Sequence, residues 1–390
     1  MSWSVKMLGD LVDIKGGGTP SKSVPEYWGG SIPWASVKDF KGGTLEKTDD
    51  YITELAVSGS STNVIPAGSV IVPTRMALGK VAINAVDMAI NQDLKALQIR
   101  DGSKLLGRYL YRFLESKAQF LEGQGKGATV KGITLDVLKG LEIPLPPLPE
   151  QKRIAAILDK ADAIRRKRQQ AIQLADDFLR AVFEDMFGDP VNNPKGFPIG
   201  TIRDLVATAD YGTSAKASEA YGEYPILRMG NITYQGRIDL KDLKYIDLDG
   251  KDKSKYLASK GDLLFNRTNS KELVGKTAVY DMDDPVAIAG YLIRVRPNER
   301  GNNYYIAGYL NSVHGKGTLK SVCKSIVGMA NINAQEMQNI PIMLPPVEMQ
   351  RRYQELVVAT KCKLMKINSS LTVMEALFSS VSHQGLSGKL

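Results

Sequence analysis

The residues that most often carry chemistry are few in this sequence and lie far apart. The chain has two cysteines, Cys323 and Cys362, and two histidines, His314 and His383. A disulfide framework or a Cys/His zinc site needs closer spacings than these. Since no nucleophile can be paired with a base either, the sequence indicates neither a structural zinc site nor covalent catalysis.

Other patterns resemble catalytic motifs only in part. Residues 270–277 end in Gly-Lys-Thr like a P-loop, but Ser270 stands where the phosphate-binding turn needs glycine. Asp101, Glu115 and Lys117 have the spacing of a metal-dependent nuclease, but the last two lie on a predicted helix, where a solvated face accounts for them. The Asn/Asp-Pro-Pro-aromatic loop and the Pro-Cys nucleophile of DNA methyltransferases are absent from the sequence. We interpret the chain as a non-catalytic binder.

Length and composition exclude further classes. A chain of 390 residues is longer than one core usually grows, which predicts two or more domains. No apolar run approaches the roughly 18 to 20 residues of a membrane span, and residues 1–6 do not resemble a signal peptide, so we expect a cytoplasmic location. The net charge of +9 suits a polyanionic partner without requiring one.

The chain is organised around a proline-led stretch that occurs twice. The first copy reads Leu-Pro-Pro-Leu-Pro-Glu-Gln-Lys-Arg at 145–153, and the second reads Leu-Pro-Pro-Val-Glu-Met-Gln-Arg-Arg at 344–352. Proline is excluded from a helix interior, but Pro149 can begin a helix. The chain then runs to Gly188 without another glycine or proline. This predicts a helix of about 38 residues, roughly 55 Å long, followed by a linker.

Both predicted helices carry an apolar stripe with the 3.5-residue period of a coiled coil. A lone stripe is more often ordinary core, but two helices of matching length most simply bury their stripes against each other. We therefore predict an intramolecular antiparallel coiled coil, and a pseudo-two-fold axis relating the repeats would place the two globular domains at its opposite ends. The predicted stripe residues are Ile154, Ile157, Ala161, Ile164, Arg168, Ala171, Ala175, Phe178 and Val182 in the first helix and Tyr353, Val357, Thr360, Leu364, Ile367, Leu371, Met374, Phe378 and Val381 in the second.

The segments before the two helices also repeat in the same order. Residues 33–40 match 225–232, and in the next matched pair Arg75 corresponds to Arg267. Short apolar runs bounded by Gly, Pro and Asn predict strands in both copies. We therefore predict an α+β fold of two similar mixed domains. Its parts are a first domain at 1–146, a first helix at 147–190, a second domain at 191–343 and a second helix at 344–390.

The sequence resembles the DNA-specificity (S) subunits of type I restriction-modification systems. The residues that carry the resemblance are Gly-Gly-Thr-Pro-Ser-Lys at 17–22, Tyr-Trp-Gly-Gly-Ser-Ile-Pro-Trp at 27–34 and the proline-led stretch at 145–155. The family order of domain, helix, domain, helix covers essentially the whole chain. The second copies depart from the pattern, since residues 212–216 read Gly-Thr-Ser-Ala-Lys and Glu348 stands at the counterpart of Pro149.

The resemblance implies a function and a set of partners. Each globular domain would be a target-recognition domain that reads one half of a bipartite site in double-stranded DNA, and the paired helices would act as a ruler. Two modification subunits would supply S-adenosylmethionine and methylate adenines, and restriction subunits would supply ATP-driven translocation and cleavage. The chain itself would then hold no active site and no cofactor, with S-adenosylmethionine, ATP and magnesium bound on the partner subunits.

For contacts with phosphates and base edges we predict polar loop residues at matching places in the two repeats. The Gly-Lys-Gly turns at 125–127 and 315–317 lie in comparable regions, although hairpin turns explain them equally well. The exposed faces around Arg165, Arg166 and Lys167 are expected to be free for partners. The predicted DNA-contact residues are Lys22, Arg75, Lys80, Lys126, Arg228, Arg267, Asn269, Lys271 and Lys276.

Two other classes remain as alternatives at this point. One is a self-contained DNA methyltransferase or nuclease of an unfamiliar type, which would modify or cut DNA without other subunits. The other is a coiled-coil assembly protein whose domains bind protein, and which would not show the salt-dependent DNA binding of a nucleic-acid reader.

Overall fold

The computed structural model describes residues 3–41, 43–127, 131–326 and 329–387, with the side chains at 325–326, 368–379 and 381–387 outside the description. The chain divides into two compact units, Met1–Lys167 with Ser370–Leu390 and Arg168–Ser369. Each unit contains one mixed α/β domain. Within the described ranges, no helix has the length and apolar character that crossing a bilayer requires.

The first unit is built on three sheets. Its elements are β1 (Ser4–Met7), α1 (Leu8–Leu11), β2 (Val12–Gly16), β3 (Trp28–Ala35), β4 (Thr44–Leu45), β5 (Asp50–Ile52), α2 (Glu54–Ser58), β6 (Val64–Ile65), β7 (Val70–Pro73), β8 (Ala82–Asn84), β9 (Met88–Ile90), β10 (Leu94–Ile99), α3 (Gly107–Ser116), α4 (Ala118–Gly123), α5 (Leu135–Lys139), β11 (Glu142–Leu145) and the start of α6 (Leu148–Phe187). The strand orders are β2-β10-β7-β8-β4, β5-β3-β9-β6 and β1-β11.

The second unit repeats this plan. Its elements are the end of α6 with β12 (Ile199–Thr201), β13 (Val206–Tyr211), β14 (Tyr224–Leu227), β15 (Lys244–Ile246), α7 (Gly250–Tyr256), β16 (Leu257–Ala258), β17 (Leu263–Asn266), β18 (Thr268–Asn269), β19 (Thr277–Val279), β20 (Val286–Ile288), β21 (Leu292–Pro297), α8 (Asn303–Asn311), α9 (Val313–Val322), β22 (Lys324–Ile326), β23 (Met329–Asn331), α10 (Ala334–Gln338), β24 (Pro341–Met343) and the start of α11 (Val347–Ser387). The orders β15-β14-β20-β16 and β12-β24 correspond strand for strand to β5-β3-β9-β6 and β1-β11. The order β13-β21-β17-β19 corresponds to β2-β10-β7-β8, with no strand at the place of β4 within the described chain, and the sheet β18-β23-β22 is added. The predicted repetition of a mixed domain is confirmed.

One buried strand in each unit explains why the apolar runs of the two copies match. Successive side chains of a strand point to opposite faces. Val70 and Val72 of β7 accordingly belong to one apolar cluster and Ile71 to another. In the second unit Leu263 and Phe265 of β17 belong to one cluster and Leu264 to another. Each run is continuous because its strand lies between two cores.

A buried glutamine ties each long helix to the domain before it. Gln151 is fully buried; its Nε2 donates to the carbonyls of Lys104 (2.7 Å) and Pro146 (2.9 Å), and its Oε1 accepts from the Leu106 N–H (2.9 Å). Gln350, also fully buried, donates to the carbonyls of Arg300 (3.0 Å) and Pro345 (2.9 Å). The glutamine that follows each Pro-Pro pair therefore fixes where the helix leaves its domain.

Replacing Gln151 by alanine is expected to destabilise this joint by about 2 kcal/mol, because the buried carbonyl of Pro146 and two partly buried groups, the Lys104 carbonyl and the Leu106 N–H, lose their partner. The amide of Leu106 reports on it directly and should exchange with solvent faster. The control is Gln173→Ala in the same helix, where an exposed side chain donates only to Asp177 (3.1 Å). Equal exchange of the Leu106 amide in both variants would show that the tie does not hold the joint.

Several local predictions are corrected by the structure. The single helix expected at 105–121 is divided at Lys117 into α3 and α4, and the Gly-Lys-Gly turn expected at 315–317 lies inside α9. In the first helix stripe, Ile157 and Phe178 are exposed. The face of α6 that packs against the domain cores contains Leu158 and Phe183 instead. In the second helix stripe, four side chains lie outside the described residues, namely those of Leu371, Met374, Phe378 and Val381.

Candidate nucleic-acid interface

The Gly-Gly-Thr-Pro loop of the first domain is built by close backbone contact. A Cβ on Gly17 would lie 1.8 Å from the Ile90 carbonyl oxygen, and the Gly18 N–H donates to that same carbonyl at 3.0 Å. The Trp34 indole N–H in turn donates to the Gly18 carbonyl at 3.0 Å. These contacts require glycine and hold the loop on which Lys22 is exposed.

Three other predicted cations of the first domain follow β7 or the segment that pairs with it. Arg75 and Lys126 both form bridges with Gly132, which brings their backbones to one place. Arg75 is 65% exposed, with Nη1 3.9 Å from Asp93. Lys80 follows β7 and donates from Nζ to the Phe40 carbonyl at 3.2 Å.

Two features near Arg75 could not be predicted from the sequence. Lys95 neighbours Asp93 and Arg75, and burial lowers the pKa of its amine, with the charge of Arg75 acting in the same direction and that of Asp93 opposing it. Met76 has φ 64°, a left-handed backbone that is strained for a methionine, and its side chain is 61% exposed. An apolar side chain is therefore exposed beside Arg75.

In the second domain, Arg228 and Lys276 meet at one loop. The guanidinium of Arg228 donates from Nη2 to the Asp242 carbonyl at 2.6 Å, while its Nε is buried without a partner. Lys276 donates from Nζ to the Met229 carbonyl at 2.9 Å, and burial lowers the pKa of its amine. Lys80 and Lys276 thus each donate to a backbone carbonyl within the matched segments 33–40 and 225–232, although the two acceptors are not at matched positions.

The other three predicted residues follow β17. The Arg267 guanidinium lies over the ring of Tyr211, 4.8 Å from its centroid. Asn269 is half-buried in β18 and accepts from the Ser270 N–H at 2.9 Å. Lys271 is exposed. Tyr211 was missed by sequence reasoning because it is distant in the chain and carries no charge.

The hydrogen-bond register corrects the predicted match of Arg75 with Arg267. The Arg267 N–H donates to the Tyr291 carbonyl (3.0 Å) just as the Thr74 N–H donates to the Asp93 carbonyl (2.7 Å). Arg267 therefore occupies the place of Thr74, and Arg75 corresponds to Thr268.

The register also corrects the predicted match of the two Gly-Lys-Gly segments. Lys126 pairs with Gly132 as Lys324 pairs with Asn331, so Lys324, and not Lys316, is the counterpart of Lys126. Lys316 lies in α9, where its Nζ is 3.6 Å from the centroid of the Tyr234 ring.

The predicted cations share an electrostatic property. Among the nine predicted residues, the single ion pair within the described chain is the long contact between Arg75 and Asp93. Elsewhere the domains pair their arginines closely, as Arg294 with Asp210 and Arg296 with Asp262, both at 3.0 Å. The positive charge left on these loops favours an external polyanion. The described residues include no cluster of His, Cys, Asp and Glu suited to a metal ion.

The chain contains two copies of one mixed domain, and each copy is joined to a helix of 40 or 41 residues. Within the described chain, both copies have cations on their loops that lack a close carboxylate. This arrangement is that of a protein with two similar domains for binding a polyanion. The chain belongs to the type I restriction modification DNA specificity domain family, whose model matches residues 1–174 and 194–356. It is thus a DNA-recognition protein of the type I restriction-modification class.

Two of the following relatives cover the chain almost completely, and a third covers less than half of it. The specificity subunit of the type I restriction enzyme MjaIX of Methanocaldococcus jannaschii is 24% identical, over 96% of this chain and 90% of the relative. The EcoKI specificity subunit of Escherichia coli is 22% identical, over 92% and 82%. The EcoR124I/EcoR124II specificity subunit of Escherichia coli is 40% identical over 41% of each chain.

Solved structures show the same fold. The S subunit of a type I restriction-modification system from M. genitalium has a TM-score of 0.63 at 17% identity, and the match covers 99% of this chain and 96% of that one. A chain from a structural study of complex assembly and conformational transition in the type I system has a TM-score of 0.54 at 17% identity, covering 100% and 98%.

Proposed function

We propose that this chain reads a bipartite DNA site within a type I restriction-modification complex. Residues 1–146 read one half-site and residues 191–343 the other, while the helices at 147–190 and 344–390 set the gap between them. The observation that carries this proposal is that the two domains share one strand register but have different side chains at equivalent loop positions. The same scaffold that bears Arg75 in one domain bears Thr268 in the other, so each domain is fitted to a different sequence.

The proposed antiparallel coiled coil is supported by packing between the end of α6 and the start of α11. Phe183 and Phe187 lie edge-on to Tyr353, with ring centroids 5.5 and 5.6 Å apart, and Val357 belongs to the same buried cluster. Aromatic pairs of this geometry contribute beyond their buried area, by about 0.5–1.5 kcal/mol each. Packing of this kind would hold the two antiparallel helices along a common axis, so that their length would set the gap between the half-sites.

The surface of α6 is proposed to help dock two modification subunits, and restriction subunits would join the complex through them. On this surface Arg165 and Arg166 are about half exposed, and both bind Asp162 of the same helix, at 2.7 and 3.0 Å. This chain would recognise DNA, whereas methyl transfer, with S-adenosylmethionine, and ATP-driven cleavage, with magnesium, would belong to the partner subunits.

Affinity for duplex DNA is expected to fall steeply with salt. With about six phosphate contacts shared between the domains, binding should weaken roughly 10³-fold between 50 and 200 mM salt, because each neutralised phosphate releases counterions. Gel-shift titrations across a salt series measure the slope. The double variant Lys22→Ala with Lys271→Ala should reduce the slope by about two contacts. An affinity for DNA that does not change with salt concentration would favour the assembly-protein alternative. Methyl transfer by the isolated chain would favour the enzyme alternative.

A further inference from the structure

Three side chains of the second domain meet beside the end of β17. The Arg267 guanidinium stacks over Tyr211 at 4.8 Å and donates from Nη2 to Asn331 Oδ1 at 3.3 Å. The backbone of Arg267 is fixed on both sides, since its N–H donates to the Tyr291 carbonyl (3.0 Å) and its carbonyl accepts from the Ile332 N–H (2.9 Å). An arginine side chain is thus held in one place by two strands and two neutral groups.

The two neighbours are themselves fixed. The Tyr211 hydroxyl accepts from the Ala334 N–H at 2.9 Å, which ties the ring to the first residue of α10. The Asn331 amide donates from Nδ2 to Thr268 Oγ1 at 2.8 Å, and this orientation directs its Oδ1 towards Arg267. Because the guanidinium is already ordered, little conformational entropy is lost when it binds a ligand.

Arg267 has no counter-charge. Within the described chain no carboxylate lies within 4 Å of its guanidinium, in contrast with Arg294 and Arg296 of the same sheet. Its Nε is buried without a partner, while Nη1 makes no hydrogen bond and is not among the buried unpaired atoms. A half-buried cation that keeps free donors at its outer end lacks an acceptor that an external ligand can supply.

The first domain has none of the three side chains. In the shared strand register, Arg267 corresponds to Thr74, because both donate to the residue before the matching strand. Tyr211, opposite Ile293, corresponds to Gly16, opposite Lys95. Asn331 likewise corresponds to Gly132, since they pair with Thr268 and Arg75. The fold forms without this set, so its presence in one domain is tied to what that domain binds.

We propose that Arg267 is a specificity-determining residue that reads one guanine in the half-site bound by the second domain, with Tyr211 and Asn331 as its positioning residues. This rests on the proposed function. Nη1 of this planar guanidinium makes no hydrogen bond within the described chain, and Nη2 has a second hydrogen besides the one donated to Asn331. These paired donors match the O6 and N7 acceptors of guanine in the major groove. A phosphate contact needs no such fixed orientation and is served by exposed lysines such as Lys22 and Lys271. The first domain, with Thr74 in the corresponding place, does not make this contact.

The test is selection of bound sequences from duplexes randomised at both half-sites, using the full chain assembled with its modification subunit. The wild type is expected to require guanine at one position of the second half-site. Arg267→Lys, which keeps the charge but loses the fork, should lose that preference and bind the selected site roughly 10- to 100-fold less tightly. Preferences in the first half-site should not change, which also shows that the variant is folded and assembled.

Two further variants separate positioning from folding. Asn331→Asp places a carboxylate beside Arg267 with almost no change of shape, so the guanidinium is occupied and the guanine preference should fall. Lys271→Ala should weaken all sequences equally, reduce the salt slope by about one contact and leave the preference intact. An unchanged guanine preference in Arg267→Lys would overturn the assignment of guanine reading to Arg267 and leave the proposed function intact. A wild-type complex that selects no sequence overturns the proposed function and this inference together.

Discussion

Removing seven residues from each long helix is expected to shorten the unread gap between the half-sites by about three base pairs. Seven residues contribute about 10.5 Å of helix, and B-DNA rises 3.4 Å per base pair. A deletion of one heptad keeps the apolar stripe in phase. Residues 164–170 and 366–372 are suitable, because the contact between Phe183 and Tyr353 would match these segments in the proposed antiparallel pair.

The measurement is again selection from randomised duplexes, with methylated adenines mapped after addition of the modification subunit. Both half-sites should keep their sequences, and affinity for the original gap should fall to that of a single half-site. The control keeps the length of α6 and replaces the exposed Lys167, Gln169 and Gln170 by alanine, which should leave the gap as it was. A deletion variant that still prefers the original gap would disprove the role of the helices as a ruler.

The features that sequence predicts well are those with a local physical cause. Proline and glycine fix the ends of α6, so its predicted start near Pro149 and its end before Gly188 agree with the observed Leu148–Phe187. The match of residues 33–40 with 225–232 is confirmed by equivalent capping interactions, in which Asp39 accepts from the Ser36 N–H and Asn231 from the Arg228 N–H.

The candidate site is predicted less well because its contacts join distant segments. The correct counterpart of Arg267 was available from the sequence, since Arg267 is the sixth residue after Gly261 and Thr74 is the sixth after Gly68. Both glycines have positive φ. Matching by residue type instead displaced the alignment by one residue. Tyr211 has no comparable signal, because it lies 56 residues before Arg267 and an exposed tyrosine indicates no partner.

The pattern of charge was also misleading within helices. Glu115 was assigned to a solvated face, whereas it binds Arg112 Nη1 at 2.5 Å, and the Arg112 side chain is 1% exposed. Arg112 also donates from Nε to Asp159 of α6 at 2.7 Å. These residues are 47 positions apart, and sequence periodicity places both on polar helix faces. Only the packing of α3 against α6 makes their charges a buried network.

Replacing Arg112 by methionine is expected to lower the free energy of unfolding of the first domain by about 3 kcal/mol at neutral pH. Methionine fills most of the volume, but Asp159, Glu115 and the buried Asp162 lose their shared cation. Breaking a buried ion pair from one side costs about 3–5 kcal/mol. The lower end applies because Asp159 is 35% exposed. Chemical denaturation followed by a probe within the first domain measures the change.

The loss should depend on pH in a defined direction. Burial alone would raise the pKa of Asp159, but hydrogen bonds from Arg108 and Arg112 outweigh it and lower the pKa. A carboxyl whose folded-state pKa is lowered stabilises the fold above its unfolded-state pKa, and this stabilisation disappears as the pH falls through the folded-state value. The difference between wild type and Arg112→Met should therefore shrink below about pH 4.

Two controls decide whether the network itself is responsible. Arg100→Met removes an exposed pair with Asp13 (2.9 Å) and should cost less than about 1 kcal/mol. Adding Asp159→Leu to Arg112→Met replaces a broken buried pair with apolar contact and should recover much of the stability. Equal losses in Arg112→Met and Arg100→Met would contradict a buried network. Because Arg112 joins the first domain to α6, the single variant should also accept gaps one base pair longer or shorter, which connects the rigidity of this joint to the precision of the ruler.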